Sequence, residues 1–144
     1  MTELRNRALQ LLARREHSRA ELHARLATQA ESGEALLAVL DALEQQGLLS
    51  DDRYARQRVV ARAGRYGNAR LRQELKQRGI GESEIEAALP EAGDELERCR
   101  AIWARKFGQP PETPEARAKQ TRFLQYRGFS HEAIRHVLRG VEDE

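Results

Sequence analysis

Cysteine is almost absent from this sequence: Cys99 is the only one in 144 residues. That excludes an internal disulfide framework and any metal site built from several cysteines. Aromatic residues are scarce, at 5%. Val and Ile are few, and no stretch keeps up the two-residue alternation of a half-buried strand. No apolar run approaches the roughly 18 residues that a membrane-spanning helix needs. The opening Met1-Thr2-Glu3-Leu4-Arg5 leads into charges every two or three positions, with no apolar h-region. No secretory signal is read there, and a cytoplasmic location without membrane contact is expected. Proline is rare too: three of the four lie in Gly108-Gln109-Pro110-Pro111-Glu112-Thr113-Pro114.

Chemical signatures are equally sparse. Neither a G-x-x-x-x-G-K-S/T loop nor a G-x-G-x-x-G turn occurs. His131 and His136 are five apart, which splays them around a helix instead of pairing them for a metal. Asp51-Asp52 directly follows Ser50, where helix capping accounts for both carboxylates. Cys99 sits between Arg98 and Arg100 with no histidine near it in sequence, and reads as a semi-buried thiol. Trp103, Phe107, Phe123 and Phe129 have core spacing or lie at helix junctions. No cofactor, metal or catalytic residue is expected, and nothing points to an enzyme.

What the sequence does contain is helix. Ala, Leu, Arg, Glu and Gln fill the segments between breaks. Ser18-Arg19-Ala20-Glu21 and Ser83-Glu84-Ile85-Glu86 have the form of capping boxes. Thr113-Pro114 is a cap followed by proline at the first helical position. Stop signals stand at Gly47, Gly64, Gly79, Gly93, Gly108, Gly128 and Gly140. The pattern predicts an all-α chain of about nine short helices, near 3–15, 18–29, 34–47, 51–64, 68–79, 83–89, 94–107, 114–127 and 130–139.

These helices repeat. Leu22, Leu26, Leu36 and Leu40 map, at an offset of 49, onto Leu71, Leu75, Ile85 and Leu89, and again onto Gln120, Leu124, Ile134 and Leu138. Gln120 is the one exception to Leu or Ile. The same offset carries Arg78-Gly79-Ile80 onto Arg127-Gly128-Phe129. The expected architecture is three tandem three-helix units, 1–49, 50–92 and 93–144, forming an elongated array. The other reading is a single helical bundle whose leucine spacing coincides.

The net charge of +2 conceals segregation. Residues 1–52 carry 6 basic and 9 acidic residues; 53–80 carry 9 and 1; 81–97 carry 0 and 7; 98–139 carry 10 and 3. The middle block holds Arg53, Arg56, Arg58, Arg62, Arg65, Arg70, Arg72, Lys76 and Arg78. Arginine suits bidentate phosphate or carboxylate contact, so these residues are candidates for a polyanion-facing surface. Arg117, Lys119 and Arg122 extend the candidate set into the third unit, which also carries Arg127, Arg135 and Arg139. The alternative is a solvated helix face paired with the acidic run at 81–97.

Three segments together resemble the RecX family. Ser18-Arg19-Ala20-Glu21-Leu22-His23-Ala24-Arg25-Leu26 is similar to its S-x-x-E-L-x-x-K/R-L opening. Gly47-Leu48-Leu49-Ser50-Asp51-Asp52-Arg53-Tyr54-Ala55 is similar to its G-x-I/L-D/S-D-x-x-F/Y-A segment. Gly67-Asn68-Ala69-Arg70-Leu71, with Glu74-Leu75 and Arg78-Gly79-Ile80, resembles its third segment, apart from Asn68, where the family commonly has glycine. The likeness runs over about residues 5–139. It implies three tandem three-helix units and a modulator, usually an inhibitor, of RecA recombinase. Such a protein is thought to lie in the groove of the RecA–single-stranded DNA filament, suppressing its growth, ATP hydrolysis and strand exchange. Some members also touch DNA, single-stranded or duplex. The family has no catalytic residues to carry over, and a monomer is expected here. Two other classes stay open: a helix-turn-helix DNA-binding module with residues 51–89 as the reader, and a helical scaffold for an unrelated acidic protein.

Overall fold

A computed structural model describes residues 2–139. Among them lie nine α-helices: α1 (Thr2–Arg14), α2 (Arg19–Leu26), α3 (Gly33–Gln45), α4 (Asp51–Arg62), α5 (Asn68–Gln77), α6 (Glu82–Ala88), α7 (Glu95–Lys106), α8 (Pro114–Tyr126) and α9 (His131–Arg139). A single 3-10 turn, Leu89–Ala92, follows α6. No strand occurs among the described residues. None of these helices is long and apolar enough to cross a membrane. Gly140, read as the last stop signal, lies outside the described residues.

The caps act largely as their chemistry requires. The Ser18 hydroxyl accepts the Glu21 amide at 3.0 Å, and Glu21 Oε1 accepts the Ser18 amide at 3.1 Å, closing the capping box of α2. Thr113 caps α8 with Pro114 at the first position. Ser83 differs from expectation. It lies inside the first turn of α6, which starts at Glu82, and the Gly81 carbonyl accepts the Ile85 amide at 3.0 Å. Asp51 also does something other than cap α4. Ser50 caps α4 through the Arg53 amide, while the Asp51 carboxylate accepts the first amide of α2, that of Arg19, at 2.7 Å. Burial pushes the Asp51 carboxyl up, and the Arg19 amide opposes that only in part.

The repeat is a packing repeat. All twelve stripe positions are buried, Gln120 included. Gln120 tolerates burial because both ends of its amide are satisfied. Its Oε1 accepts the Trp103 indole N–H at 2.8 Å, and its Nε2 donates to the Gln109 carbonyl at 3.1 Å. Cys99 is fully buried rather than semi-buried, and burial pushes its thiol up to about 12, so it is no nucleophile at neutral pH.

The chain divides into two compact units: residues up to Gln57 with Leu75–Ala87, and Arg58–Glu74 with residues from Ala88 onward. In the first, α1, α2 and α3 close over Leu4, Leu11, Leu22, Leu26, Leu36, Leu40 and Leu43. In the second, α7, α8 and α9 close over Cys99, Ile102, Leu124, Phe129, Ile134 and Leu138.

Each unit also contains the same contact. In the first, the start of α2 meets the turn after α5. The Ser18 hydroxyl donates to the Arg78 carbonyl at 2.7 Å, and a Cβ on Gly79 would lie 2.4 Å from Cβ of Ala20. In the second, 49 residues on, the start of α5 meets the turn after α8. The Gly67 amide donates to the Arg127 carbonyl at 2.8 Å, and the Ala69 amide donates to the Gly128 carbonyl at 3.2 Å. A Cβ on Gly67 would lie 2.4 Å from the Gly128 carbonyl oxygen, and Gly128 has φ +93°. Backbone approaches backbone there, and only glycine fits.

Gly67→Ala is therefore expected to cost about 1–3 kcal/mol by overpacking. Gly33→Ala, in open space at the first turn of α3, is expected to be neutral or slightly stabilising. Urea denaturation of the two variants checks the contrast.

Candidate polyanion-binding surface

In the second unit the arginines of the middle block gather on one carboxylate. Glu74 is the only acidic residue between 53 and 80. Arg62 holds it with two nitrogens, Nη2 donating to Oε2 at 2.9 Å. Arg70 Nε donates to Oε2 at 3.3 Å from one turn away on α5. Arg58 Nη2 lies 3.7 Å from Oε1. The Glu74 side chain is 13% exposed and the three arginines 25–30%. Burial alone would raise the Glu74 carboxyl, but the hydrogen bond and charge of Arg62, with Arg58 and Arg70, hold it below the usual range.

A second group of cations is held differently. After α4 the chain turns through Ala63-Gly64-Arg65-Tyr66, and each of these four carbonyls accepts from an arginine. Arg98 Nε donates to the Ala63 carbonyl at 3.0 Å, and its Nη2 donates to that of Tyr66 at 3.1 Å and to Asn68 Oδ1 at 2.9 Å. Arg105 Nη2 donates to the Gly64 carbonyl at 3.2 Å. Arg127 Nη1 donates to the Arg65 carbonyl at 3.1 Å. A helix C-terminus attracts cations because its carbonyls point outward. Asn68, the departure from the family pattern, supplies an acceptor here that glycine lacks, and its own amide is taken by Glu95 Oε2 at 2.9 Å.

Carbonyls position Arg105 and Arg127 without cancelling their charge, whereas Arg98 also feels the carboxylates of Glu95 and Asp94. The effect is clearest at the repeated contact. In the first unit Glu21 and Arg78 form an ion pair there, Nη1 to Oε2, at 2.8 Å. The equivalent residues 49 positions on are Arg70 and Arg127, both cationic. They stand over the Tyr66 ring instead, at 4.3 and 5.6 Å from its centroid, with Arg62 at 4.7 Å. Arg127 also lies 5.0 Å from the Phe123 centroid, and Lys106 Nζ 5.3 Å from it. Beside this stack an open cleft of about 250 Å³ is lined by Arg65, Ile102, Arg105, Lys106, Phe123 and Arg127, with no carboxylate among the described residues.

The residues singled out from sequence thus fall into distinct settings. In the first unit Arg53 pairs with Glu16, Arg56 with Asp52, Lys76 with Glu82 and Arg78 with Glu21. In the second, Arg58, Arg62 and Arg70 share Glu74, Arg72 is half-buried on α5, and Arg65 is exposed past the end of α4. Arg117, Lys119 and Arg122 lie along α8, all three exposed. The acidic run at 81–97 is engaged by Lys76 through Glu82, while Arg53, Arg56, Arg62 and Arg78 pair elsewhere. Arg98, Arg105, Lys106, Tyr66 and Tyr126 were not legible as a group. Arg98 and Arg105 are seven apart, two turns on one face of α7, and that spacing was the available signal. No group of three or more His, Cys, Asp or Glu suited to a metal occurs among the described residues.

Comparison with known proteins places this arrangement. Residues 50–89 match the family description "RecX, second three-helix domain" and residues 93–138 match "RecX, third three-helix domain". The chain belongs to the RecX family. The regulatory protein RecX of Leptothrix cholodnii is 47% identical over 142 residues, covering 98% of this chain and 90% of that protein. RecX of Ralstonia nicotianae is 46% identical over 142 residues, covering 96% and 88%. The crystal structure of RecX from Lactobacillus salivarius shares the fold, with TM-score 0.86 at 19% identity over 99% of this chain and 97% of that one. A second RecX crystal structure matches with TM-score 0.79 at 25% identity, over 99% and 73%. Asn68 and the Gly67–Gly128 contact therefore sit inside a RecX fold of all-α, three-helix domains.

Removing the shared carboxylate tests the first group. Glu74→Gln is expected to lose about 1–3 kcal/mol at pH 7, because three part-buried arginines lose their charged acceptor. A carboxyl held below its ordinary value of 4.5 stabilises above that pH and loses the contribution as pH falls further. The gap between wild type and variant is therefore expected to be flat above about pH 5 and to close below about pH 4.5, measured by urea denaturation across pH.

Proposed function

We propose that this chain modulates RecA recombinase, in the inhibitory direction, by lying in the groove of the RecA–single-stranded DNA filament. The observation that carries the reading is the RecX relationship, at 46–47% identity over 96–98% of the chain. In this reading the chain works as a monomer of three units, 1–49, 50–92 and 93–144, and its contacts are spread along them. Candidate contacts are Arg65 at the end of α4 and Arg117, Lys119 and Arg122 on α8. Arg53, Arg56, Lys76 and Arg78 in the first unit, and Arg58, Arg62, Arg70 and Arg72 in the second, each shape the surface of their own unit. Many modest contacts along one filament multiply in effect, so affinity for the filament exceeds affinity for any single piece of it.

A second reading is a helix-turn-helix-like DNA-binding module that needs no recombinase. What favours it is the cation-lined cleft around Arg105, Lys106 and Arg127. The two separate in one experiment: recombinase ATP hydrolysis on single-stranded DNA, titrated with this protein at two salt concentrations, beside binding to naked DNA. Sub-stoichiometric loss of hydrolysis with weak naked-DNA binding is the expected result. Unchanged hydrolysis, with tight and steeply salt-dependent DNA binding, would overturn the filament reading.

A further inference from the structure

We propose that the cleft between the 63–66 turn, the end of α7 and α8 is a phosphate subsite for a single-stranded nucleic acid, with the ring of Tyr126 receiving a neighbouring base. This deepens the DNA contact that the second reading above already draws from the same cleft, by naming an unpaired strand as its occupant and Tyr126 as the residue that selects it.

Four cations line the cleft, and no carboxylate among the described residues does. Arg105 and Arg127 are fixed by the Gly64 and Arg65 carbonyls. Their positions are set before any ligand arrives, and neutral carbonyls leave their charge to be matched. Arg65 and Lys106 are exposed at its rim. A phosphodiester, with its charge spread over oxygens that accept several N–H donors, is the group this arrangement suits.

The aromatic residues decide between strand types. Phe123 and Tyr126 are three apart on α8 and share a face. Phe123 is taken up inside the fold: Lys106 and Arg127 lie over its ring, and Phe107 packs edge-on at 5.5 Å between centroids. Tyr126 is different. It is 77% exposed, the most of any large hydrophobic residue described, and the Arg70 guanidinium stands 5.8 Å from its ring centroid. An exposed ring beside a guanidinium, one helical turn from Phe123 in the cleft lining, is a stacking platform for an unpaired base. In a duplex the base faces are already stacked and the ring has nothing to receive.

The test uses the full chain, without recombinase, and a labelled oligo(dT) read by fluorescence anisotropy at several salt concentrations. Arg65→Glu with Lys106→Glu is expected to weaken binding at least about tenfold and to flatten the salt slope, by about 0.7 for each phosphate no longer neutralised. Tyr126→Ala is expected to weaken it about 5- to 150-fold, as one base ceases to stack, while leaving the slope unchanged. Arg100→Glu with Arg135→Glu, both exposed, makes the same change in net charge and is expected to bind within about twofold of wild type. Circular dichroism confirms that each variant is folded. The proposal is overturned if the control weakens as much as the Arg65/Lys106 variant, or if Tyr126→Ala binds as wild type. It is also overturned if polyglutamate binds at the cleft and oligo(dT) does not, which would make the surface one for acidic protein. Because no recombinase is present, failure here leaves the filament reading standing, and failure of the hydrolysis titration leaves this one standing.

Discussion

The close approach of a helix start to an Arg-Gly turn, made once in each compact unit, is the constraint on which the rest of this structure depends. Ser18 and Ala20 meet Arg78-Gly79 in the first unit; Gly67 and Ala69 meet Arg127-Gly128 in the second. Carbonyls and amides at helix ends need partners, and this contact supplies them from another turn of chain. The close approach leaves no room for a Cβ at Gly67 or Gly128 against backbone, nor at Gly79 against Cβ of Ala20. What varies between the two copies is charge. An ion pair closes the first; two cations over a tyrosine ring close the second.

That substitution divides the basic residues by what holds them. Arg58, Arg62 and Arg70 answer to Glu74, and a part-buried carboxylate with three guanidinium partners is chiefly a structural device. Arg98, Arg105 and Arg127 answer to carbonyls. Neutral acceptors fix a guanidinium while leaving its field intact. The cleft past the end of α4 therefore gathers four cations and no carboxylate in its described lining, in a chain whose formal charge is only +2.

Much of this was legible in the sequence. The leucine stripe depends on side-chain spacing within helices, and every one of its twelve positions is buried. Helix ends followed from local caps at Ser18, Thr113 and the glycines; Ser83 departs because α6 already begins at Glu82, just after Gly81. Charge segregation marked out the 53–80 block as the most basic stretch of the chain. It did not identify which cations stay uncompensated, because that depends on partners far away in sequence: Glu74 is 12 residues from Arg62, and Arg98 is 35 from Ala63. One sequence signal bore on it. The offset of 49 turns Glu21 into Arg70 while keeping arginine at 78 and 127. A repeat that preserves its glycines and reverses one charge has kept the contact and altered the surface.

The RecX relationship and the charge partition lead to one expectation: the carboxylate-held arginines support the fold, and the others support binding. Arg62 and Arg65 lie three residues apart at the end of α4, the first bound to Glu74 and the second exposed. The most direct measurement is a side-by-side comparison of Arg62→Gln and Arg65→Gln, each by urea denaturation and by inhibition of recombinase ATP hydrolysis. Arg62→Gln is expected to lose about 1–2 kcal/mol of stability and to inhibit as wild type while folded. Arg65→Gln is expected to keep its stability and to inhibit several-fold less well. A folded Arg62→Gln that loses inhibition, or an Arg65→Gln that inhibits as wild type, would contradict that expectation.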